Sequence, residues 1–576
     1  MNLCNNDCRI LAYIRTPSPG YSVYLGESVH FALSFDGGSS YTPLFKNYGM
    51  LFAKCRFSEE NGIVSAGVRE LELCLSSDGE YIITGREVIR HQVKNGIFMT
   101  SFETEKTGCL VEWRTKDFIK FTEPKLCQKK SSFSCLMTGA RPGKIPENLG
   151  IDSGDACELS IPAQLAELIA LGDIEPRYAK TLLPQRIAVS SVDEIANVKA
   201  DIIYTDGSRH QKRVQWELDG LDTSRPGSYK IEGKIQCRRF DFPVEERPWG
   251  DPIVKYYQGK YYFIGTDDRG GNKMFEIRRA DSPELLFSEY SERSVILDYT
   301  PGKYESTFWA PELHIAGGKM RIFCTLGKGG FDPQSHVMTL RDGGDMLNPA
   351  DWSEPKRCVM PDGRFLGTNP LGDGKNGITL DMTYFEQDGE GYVSFSFRTW
   401  AGTDSGSMLM FAKTDPDQPW MLKSFPVLMS RPEYGWENID GTDNNEGPHP
   451  IVTEDKIFIV YSGGNAAGDT YVLGMLTADR RSDLLDMRSW EKSQRPVLAS
   501  DFVKGELGCG HNGFFTDEYG DIYITYHGHK TLGNSERIDG IRRVQLKPDG
   551  SPHLWLSAEQ DLPRECESVS MEVKIK

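Results

Sequence analysis

Apolar residues in the C-terminal half of this chain come in short blocks that alternate with turn residues, and none sustains helical periodicity over several turns. Five blocks follow tight turns: Tyr261-Tyr262-Phe263-Ile264 after Gly259, Met320-Arg321-Ile322-Phe323 after Gly317, Tyr392-Val393-Ser394-Phe395 after Gly389, Ile457-Phe458-Ile459-Val460 after Asp455, and Ile522-Tyr523-Ile524-Thr525 after Tyr519-Gly520. Aromatic and β-branched runs beside Gly and Asp predict hairpins. The blocks recur every roughly 60–70 residues, too far apart for one hairpin but suited to four-stranded blades set radially. Five periods predict a five-bladed β-propeller over residues 243–576.

The earlier chain has the same β character without that period. Residues 1–130 carry turn signals at Asp36-Gly37-Gly38 and Asp78-Gly79 and predict an N-terminal β domain. A polar break at Lys129-Lys130-Ser131-Ser132 and a Gly/Pro-rich stretch make residues 131–178 a linker, with a short helix from Pro162 to Leu171. Within 179–242, strand candidates at 186–190, 199–204, 214–217 and 228–235 have the rhythm of a β-sandwich. The phrases Ile203-Tyr204-Thr205-Asp206-Gly207 and Pro226-Gly227-Ser228-Tyr229 resemble bacterial immunoglobulin-like domains appended to carbohydrate-active enzymes. The fold class is all-β.

Composition narrows the partners. A net charge of −17 with no basic cluster argues against nucleic acid. No apolar stretch approaches the roughly 18–20 residues needed to span a bilayer. Thirteen cysteines without a repeated spacing, and an N-terminus without the pattern of a secretory signal, predict reduced thiols in a cytoplasmic protein. Oligomeric state leaves no mark.

Candidate chemistry sits at one offset. Asp251, Trp309, Asp381, Glu446 and His511 each lie about eight positions ahead of one of the five turns. In a propeller such positions emerge at similar depth around the axis, and three of the five are carboxylates. Glycosidic cleavage needs one carboxyl group to protonate the leaving oxygen and another to activate water or attack carbon. Each carboxylate alone also reads as turn chemistry; the shared offset favours catalysis. Trp309, Phe308, Trp249 and Trp436 offer aromatic faces to a sugar, with blade packing the competing reading. Arg398 stands where it could reach a sugar hydroxyl, hold Asp381 or form an ordinary salt bridge. Gly508-Cys509-Gly510-His511-Asn512-Gly513 matches a dinucleotide fingerprint but lacks the following helix, and no serine elbow or His-Glu-x-x-His helix occurs.

The segments Trp249-Gly250-Asp251-Pro252, Phe308-Trp309-Ala310-Pro311-Glu312, Thr379-Leu380-Asp381, Asn445-Glu446-Gly447-Pro448-His449 and Gly508-Cys509-Gly510-His511-Asn512 resemble, in order, glycoside hydrolase family 43. The resemblance implies a five-bladed propeller that inverts at the anomeric carbon, with Asp251 as general base, Glu446 as general acid and Asp381 orienting the base and tuning the acid. It implies an exo-acting enzyme that removes terminal α-L-arabinofuranosyl units from plant-cell-wall oligosaccharides. β-D-Xylosidase is the alternative, and a non-catalytic sugar-binding propeller the rival outside enzymes. No cofactor is required; His511 resembles a family histidine near the axis that faces calcium in many members, which makes it a candidate substrate contact and metal ligand. Cys509 departs from the Thr or Pro usual at its position.

Overall fold

Each of the five turn-bounded runs forms the second strand of an antiparallel sheet, paired to an inner strand that precedes the turn. The computed structural model describes residues 7–58, 62–93, 101–128, 135–219, 221, 224–368, 376–401, 403–439 and 442–575. They divide into two compact units: residues 1–173, 245–514 and 525–539 in one, and residues 174–244, 515–524 and 540–576 in the other.

The inner strands are Gly250–Tyr257, Ser306–Ala316, Ile378–Gln387, Asn445–Val452 and Leu507–Thr516. The first four sheets have four strands each in chain order, and the fifth has three, giving the five-bladed propeller. Blade cores fill as the apolar runs require: Ile264, Phe275, Ile277, Ile322 and Leu326 are buried between blades one and two, and Phe323, Val337, Tyr384 and Phe395 between two and three.

Four inner strands slip register near their start, between Gly250 and Ile253, on either side of Trp309, between Leu380 and Thr383, and between Glu446 and His449. Each slip is a β-bulge, one extra residue that re-aims its neighbours. All five inner strands hold a residue in the left-handed region there: Asp251 (φ 57°), Ala310 (41°), Asp381 (53°), Gly447 (53°) and His511 (45°).

In the same unit, the N-terminal domain pairs Ile151–Ile161, Cys8–Arg15, His30–Ser34 and Thr42–Pro43 in one sheet, and builds a second around Gly62–Ser76, Tyr81–Val93 and Ser101–Thr115. Ile10, Phe31, Val68, Leu73, Ile83 and Trp113 form its core. Helix Ala163–Gly172 arises where Pro162 was expected to open one, and buries Ala166 and Ile169. Much of the expected linker is therefore structural, because Cys157, Leu159 and Ile161 supply apolar positions that pair with and cover Cys8–Arg15. The polar break at Lys129–Ser132 lies outside the described residues.

This domain rests on the propeller. Phe45 and Tyr48 meet Phe502 edge-on at 5.1 and 5.6 Å, Tyr434 donates to Glu123 at 3.1 Å, and Gly62 abuts Thr403 and Asp404. Gly20 lies against Leu532 and Asp469. These propeller residues belong to connections at the end of the blades where the inner strands begin.

The second unit differs from the expected boundaries. Its strands run in the order Tyr178–Leu182, Lys199–Tyr204, Arg209–Trp216, Gly227–Ile235, Ser568–Ile575 and Arg186–Val189. The C-terminal strand, expected in the propeller, lies antiparallel to Gly227–Ile235 and parallel to Arg186–Val189. Met571, Val573 and Ile575 alternate inward to complete a core with Ile202, Trp216 and Ile231, so residues 179–242 do not close a core alone. Arg209–Trp216 pairs with Lys199–Tyr204 through its first half and with Gly227–Ile235 through its last three residues.

Candidate active site

The left-handed positions of the five inner strands are tied together around the axis. The Ala310 N–H donates to Thr266 Oγ1 at 2.9 Å, Asp381 N–H to Thr325 Oγ1 at 3.2 Å, His511 N–H to Ser462 Oγ at 2.8 Å, and Asp251 N–H to His527 Nδ1 at 3.1 Å. In each pair the acceptor sits on the second strand of the preceding blade. At blade four, Gly447 N–H donates to Asp381 Oδ2 at 3.1 Å, and Ser396 Oγ donates to the same oxygen at 3.4 Å. The links bring Asp251, Asp381, Glu446 and His511 to one level.

Asp251 is 4% exposed. Its Oδ1 accepts from Arg537 Nη1 at 2.9 Å and lies 3.2 Å from His511 Nδ1, while Oδ2 accepts from Thr266 Oγ1 at 2.5 Å. Burial pushes this carboxyl up, but the Arg537 guanidinium, with His511 and His527, outweighs burial and holds it well below the usual carboxylate range. Burial lowers His527 itself to about 4, and its Nδ1 accepts the Asp251 N–H. Arg537 also clamps Asp268 through Nε and Nη2 at 2.8 and 2.6 Å, which fixes its plane.

Among the described residues, no arginine or lysine pairs with Asp381. Burial raises it to about 7; Glu446 and Asp251 push the same way, against His511 and the Gly447 N–H. Glu446 is half-buried, and its Oε1 accepts from the Tyr471 hydroxyl at 2.8 Å. Tyr471 stacks on His527 at 5.4 Å, so one ring pair supports both the Asp251 backbone and Glu446.

Arg537 and Tyr471 escaped the sequence reading because they have no fixed offset from the turns. The glycines between motif residues were the available signal. A Cβ on Gly250 would lie 2.1 Å from the Arg537 guanidinium carbon, and one on Gly510 would lie 2.1 Å from the Tyr471 ring. Both glycines make room for groups that touch a carboxylate.

The candidate aromatic contacts separate. Trp309 is half-buried with Nε1 donating to Asn272 Oδ1 at 2.8 Å. Trp249, Phe308 and Trp436 are fully buried. Trp249 lies between Arg247 and Arg278, Phe308 meets Phe275 edge-on, and Trp436 packs beside Tyr434 and Tyr461. With no exposed face, these three rings pack within the blades and their connections. Arg398 does not hold Asp381; it grips Asp404 through Nε and Nη2 at 2.9 and 2.7 Å.

Among the described residues, one group has donors placed for a metal: Glu312, His314 and His449, with ligand atoms within 4.8 Å of one another. These lie farther along the inner strands than the carboxylates. Burial pushes the Glu312 carboxyl well up and the His314 imidazole well down, and Glu312 Oε2 lies 2.5 Å from His314 Nε2.

The family model for glycosyl hydrolases family 43 matches residues 240–552. Alpha-L-arabinofuranosidase B of Pyricularia oryzae is 31% identical over 322 residues, covering 53% of this chain and 61% of that protein. An extracellular exo-alpha-(1->5)-L-arabinofuranosidase of Streptomyces avermitilis is 29% identical over 326 residues, covering 55% and 63%. The chain thus spans about three fifths of the length of these relatives. The crystal structure of an alpha-L-arabinofuranosidase from Lactobacillus brevis, 27% identical, covers 55% of this chain and 95% of its own with a TM-score of 0.47. The name of the Streptomyces relative overturns the expected cytoplasmic location. The thiols misled because Cys8, Cys157, Cys324 and Cys358 are buried, and a buried thiol packs as a small apolar group in either compartment. No helix among the described residues is long and apolar enough to cross a membrane.

Proposed function

Because the chain belongs to glycosyl hydrolases family 43, we propose that it is an inverting exo-α-L-arabinofuranosidase that acts outside the cell on plant-cell-wall oligosaccharides. The observation that carries the site assignment is the contrast between two carboxylates at one level: Asp251 buried and held ionised by Arg537, and Glu446 half-exposed under a tyrosine hydroxyl. An ionised, fixed carboxylate suits a base that takes a proton from water as the water attacks the anomeric carbon. Glu446 then gives its proton to the departing oxygen, so both carboxyl groups change protonation once per turnover. Asp381, bonded to the Gly447 N–H directly after Glu446, fixes the acid's backbone and lies in the field of both partners.

His511 suits positioning Asp251 better than ligating calcium. Calcium prefers several oxygen ligands, and the carboxylate nearest His511 Nδ1 is already paired with a guanidinium. No step is assigned to a metal.

The deciding experiment pairs variants with leaving groups. Asp251→Asn should lower kcat by about a thousandfold or more on every substrate, whereas Glu446→Gln should spare an aryl arabinofuranoside with a good leaving group and lose the natural oligosaccharide. Equal loss on both by Glu446→Gln removes the acid assignment. Aryl β-D-xylopyranoside run in parallel decides the sugar, and a preference for it turns the reading to xylosidase. Separation of the Asp251 and Glu446 carboxyl groups by roughly 6.5–9.5 Å in a crystal structure is expected for inversion, and about 5 Å points to retention.

A further inference from the structure

Farther along the inner strands than the carboxylates, blades two and four turn a second set of polar side chains toward one another. Glu312 and His314 come from Ser306–Ala316 and His449 from Asn445–Val452, and all three are buried. One oxygen, Glu312 Oε2, lies 2.5 Å from His314 Nε2 and 3.8 Å from His449 Nε2. The two imidazoles stack with centroids 5.5 Å apart and planes at 29°. Blades two and four are not neighbours in the ring, so the contact reaches across the axis. His449 Nδ1 lies 3.3 Å from the Pro450 carbonyl oxygen, which can only accept; in the neutral ring the hydrogen therefore sits on Nδ1, and Nε2 turns a lone pair toward Glu312. Lone pairs that converge on one buried point call for a positive centre there.

An independent observation comes from blade five. Asn512, on Leu507–Thr516, is fully buried, yet neither its Oδ1 nor its Nδ2 has a hydrogen-bond partner among the described residues. Strand alternation sets it on the same side as Phe514, whose ring meets His449 at 5.7 Å. The opposite side is filled by blade one and the second strand of blade five, since a Cβ on the intervening Gly513 would lie 2.5 Å from Ile253 and 2.7 Å from Thr525. The Asn512 amide thus faces the axis, one residue beyond His511 and on the way to His449. A buried amide with both ends unbonded is destabilising unless a ligand meets it.

We propose that Glu312, His314 and His449 hold one zinc-class divalent ion deep on the propeller axis, with Asn512 supplying the fourth ligand through Oδ1 or through a water that it binds. Two imidazoles and one carboxylate form a donor set suited to zinc, whereas calcium and magnesium prefer oxygens alone. Zinc bonds of roughly 2.0–2.1 Å set tetrahedral ligand atoms about 3.3 Å apart. The separations of 2.5 and 3.8 Å lie on either side of that value, and all three ligand atoms fall within 4.8 Å of one another. The ion takes the place of the hydrogen between Glu312 and His314, and the Pro450 carbonyl keeps the His449 ring turned toward it. Its role is to clamp blades two, four and five beneath the carboxylates, apart from His511, whose Nδ1 faces Asp251. No step of hydrolysis passes through it.

The test measures metal in the whole chain, expressed with zinc in the medium and freed of loosely held ions by gel filtration. Plasma mass spectrometry should find about one zinc per wild-type chain, and less than about a tenth of that in His314→Gln and in His449→Gln. Wild type from zinc-depleted medium should melt about 5 °C lower, and one equivalent of zinc chloride should restore it. Diffraction from wild-type crystals on either side of the zinc absorption edge needs no variant to fold, and should place the ion between Glu312 Oε2, His314 Nε2 and His449 Nε2. A wild type without zinc, or an ion located elsewhere on the chain, overturns the site and leaves the cluster a hydrogen-bonded polar core. A melting temperature unmoved by zinc overturns the clamp. The hydrolase reading survives each of these results, because the carboxylates stand at a different level of the axis.

Discussion

Asp251 keeps its charge in a buried place because Arg537 stands against it, and that pairing sets the acid side of the rate profile. Removing the guanidinium lets burial dominate, so Arg537→Met should move the acid limb of kcat/KM to higher pH and lower the plateau, whereas Arg537→Lys should move it less. A limb that stays in place would show that Asp251 is not the group titrating there. Asp381 behaves oppositely. Its folded value of about 7 lies above the ordinary aspartate value of 3.8, so its contribution to stability is fully present below the lower value and is lost as pH rises through the upper one. Asp381→Asn removes that loss, and the melting temperature of the variant minus that of the wild type should increase from pH 4 to pH 8. A flat difference would mean that the Asp381 carboxyl ionises in the ordinary range. The three acids were legible because their distance from a turn is constant. Arg537 and Tyr471 were not, because a side chain that reaches in from a blade connection is constrained by space and not by count.

The repeated offset has its cause in the bulge of the inner strand. An extra residue in the left-handed region turns its neighbours toward the axis, and Asp and His tolerate that region better than most residues with a Cβ. Function and backbone geometry therefore select the same residue types at Asp251, Asp381 and His511. Ala310 at φ 41° gains nothing from its methyl group, and Ala310→Gly should raise stability by up to about 1 kcal/mol, measured by urea unfolding. Gly447→Ala should do the reverse, since its Cβ would lie 3.1 Å from the His511 ring at a φ of 53°. We expect a loss of about 1–3 kcal/mol together with reduced turnover. A Gly447→Ala protein as stable as the wild type would show that His511 has room to move. Alternation and turns made the blades legible, but the bulges were not, because one inserted residue leaves the hydrophobic pattern nearly unchanged.

Over the whole molecule, order along the chain and order in space part company. Strand Ile151–Ile161 returns to the first strand of the N-terminal domain, and strand Ser568–Ile575 returns to a sheet begun some 390 residues earlier by Tyr178–Leu182. Neither return was legible, since a strand's pattern shows which face is buried and not which partner it takes. Deleting residues 568–576 should therefore unfold the second unit, seen as loss of its own melting transition and rapid proteolysis between residues 178 and 235, because Met571, Val573 and Ile575 leave its core. Survival of that transition would assign the C-terminal strand a minor role. The same arrangement constrains biogenesis. Gly227–Ile235 and Arg186–Val189 leave the ribosome long before the strand that separates them exists, and until Ser568–Ile575 has been made both present unpaired backbone to any passing chain. A nascent polypeptide of this sequence needs a chaperone's cover or a slow folding step during that interval, and termination before residue 568 yields a species with two adhesive edges.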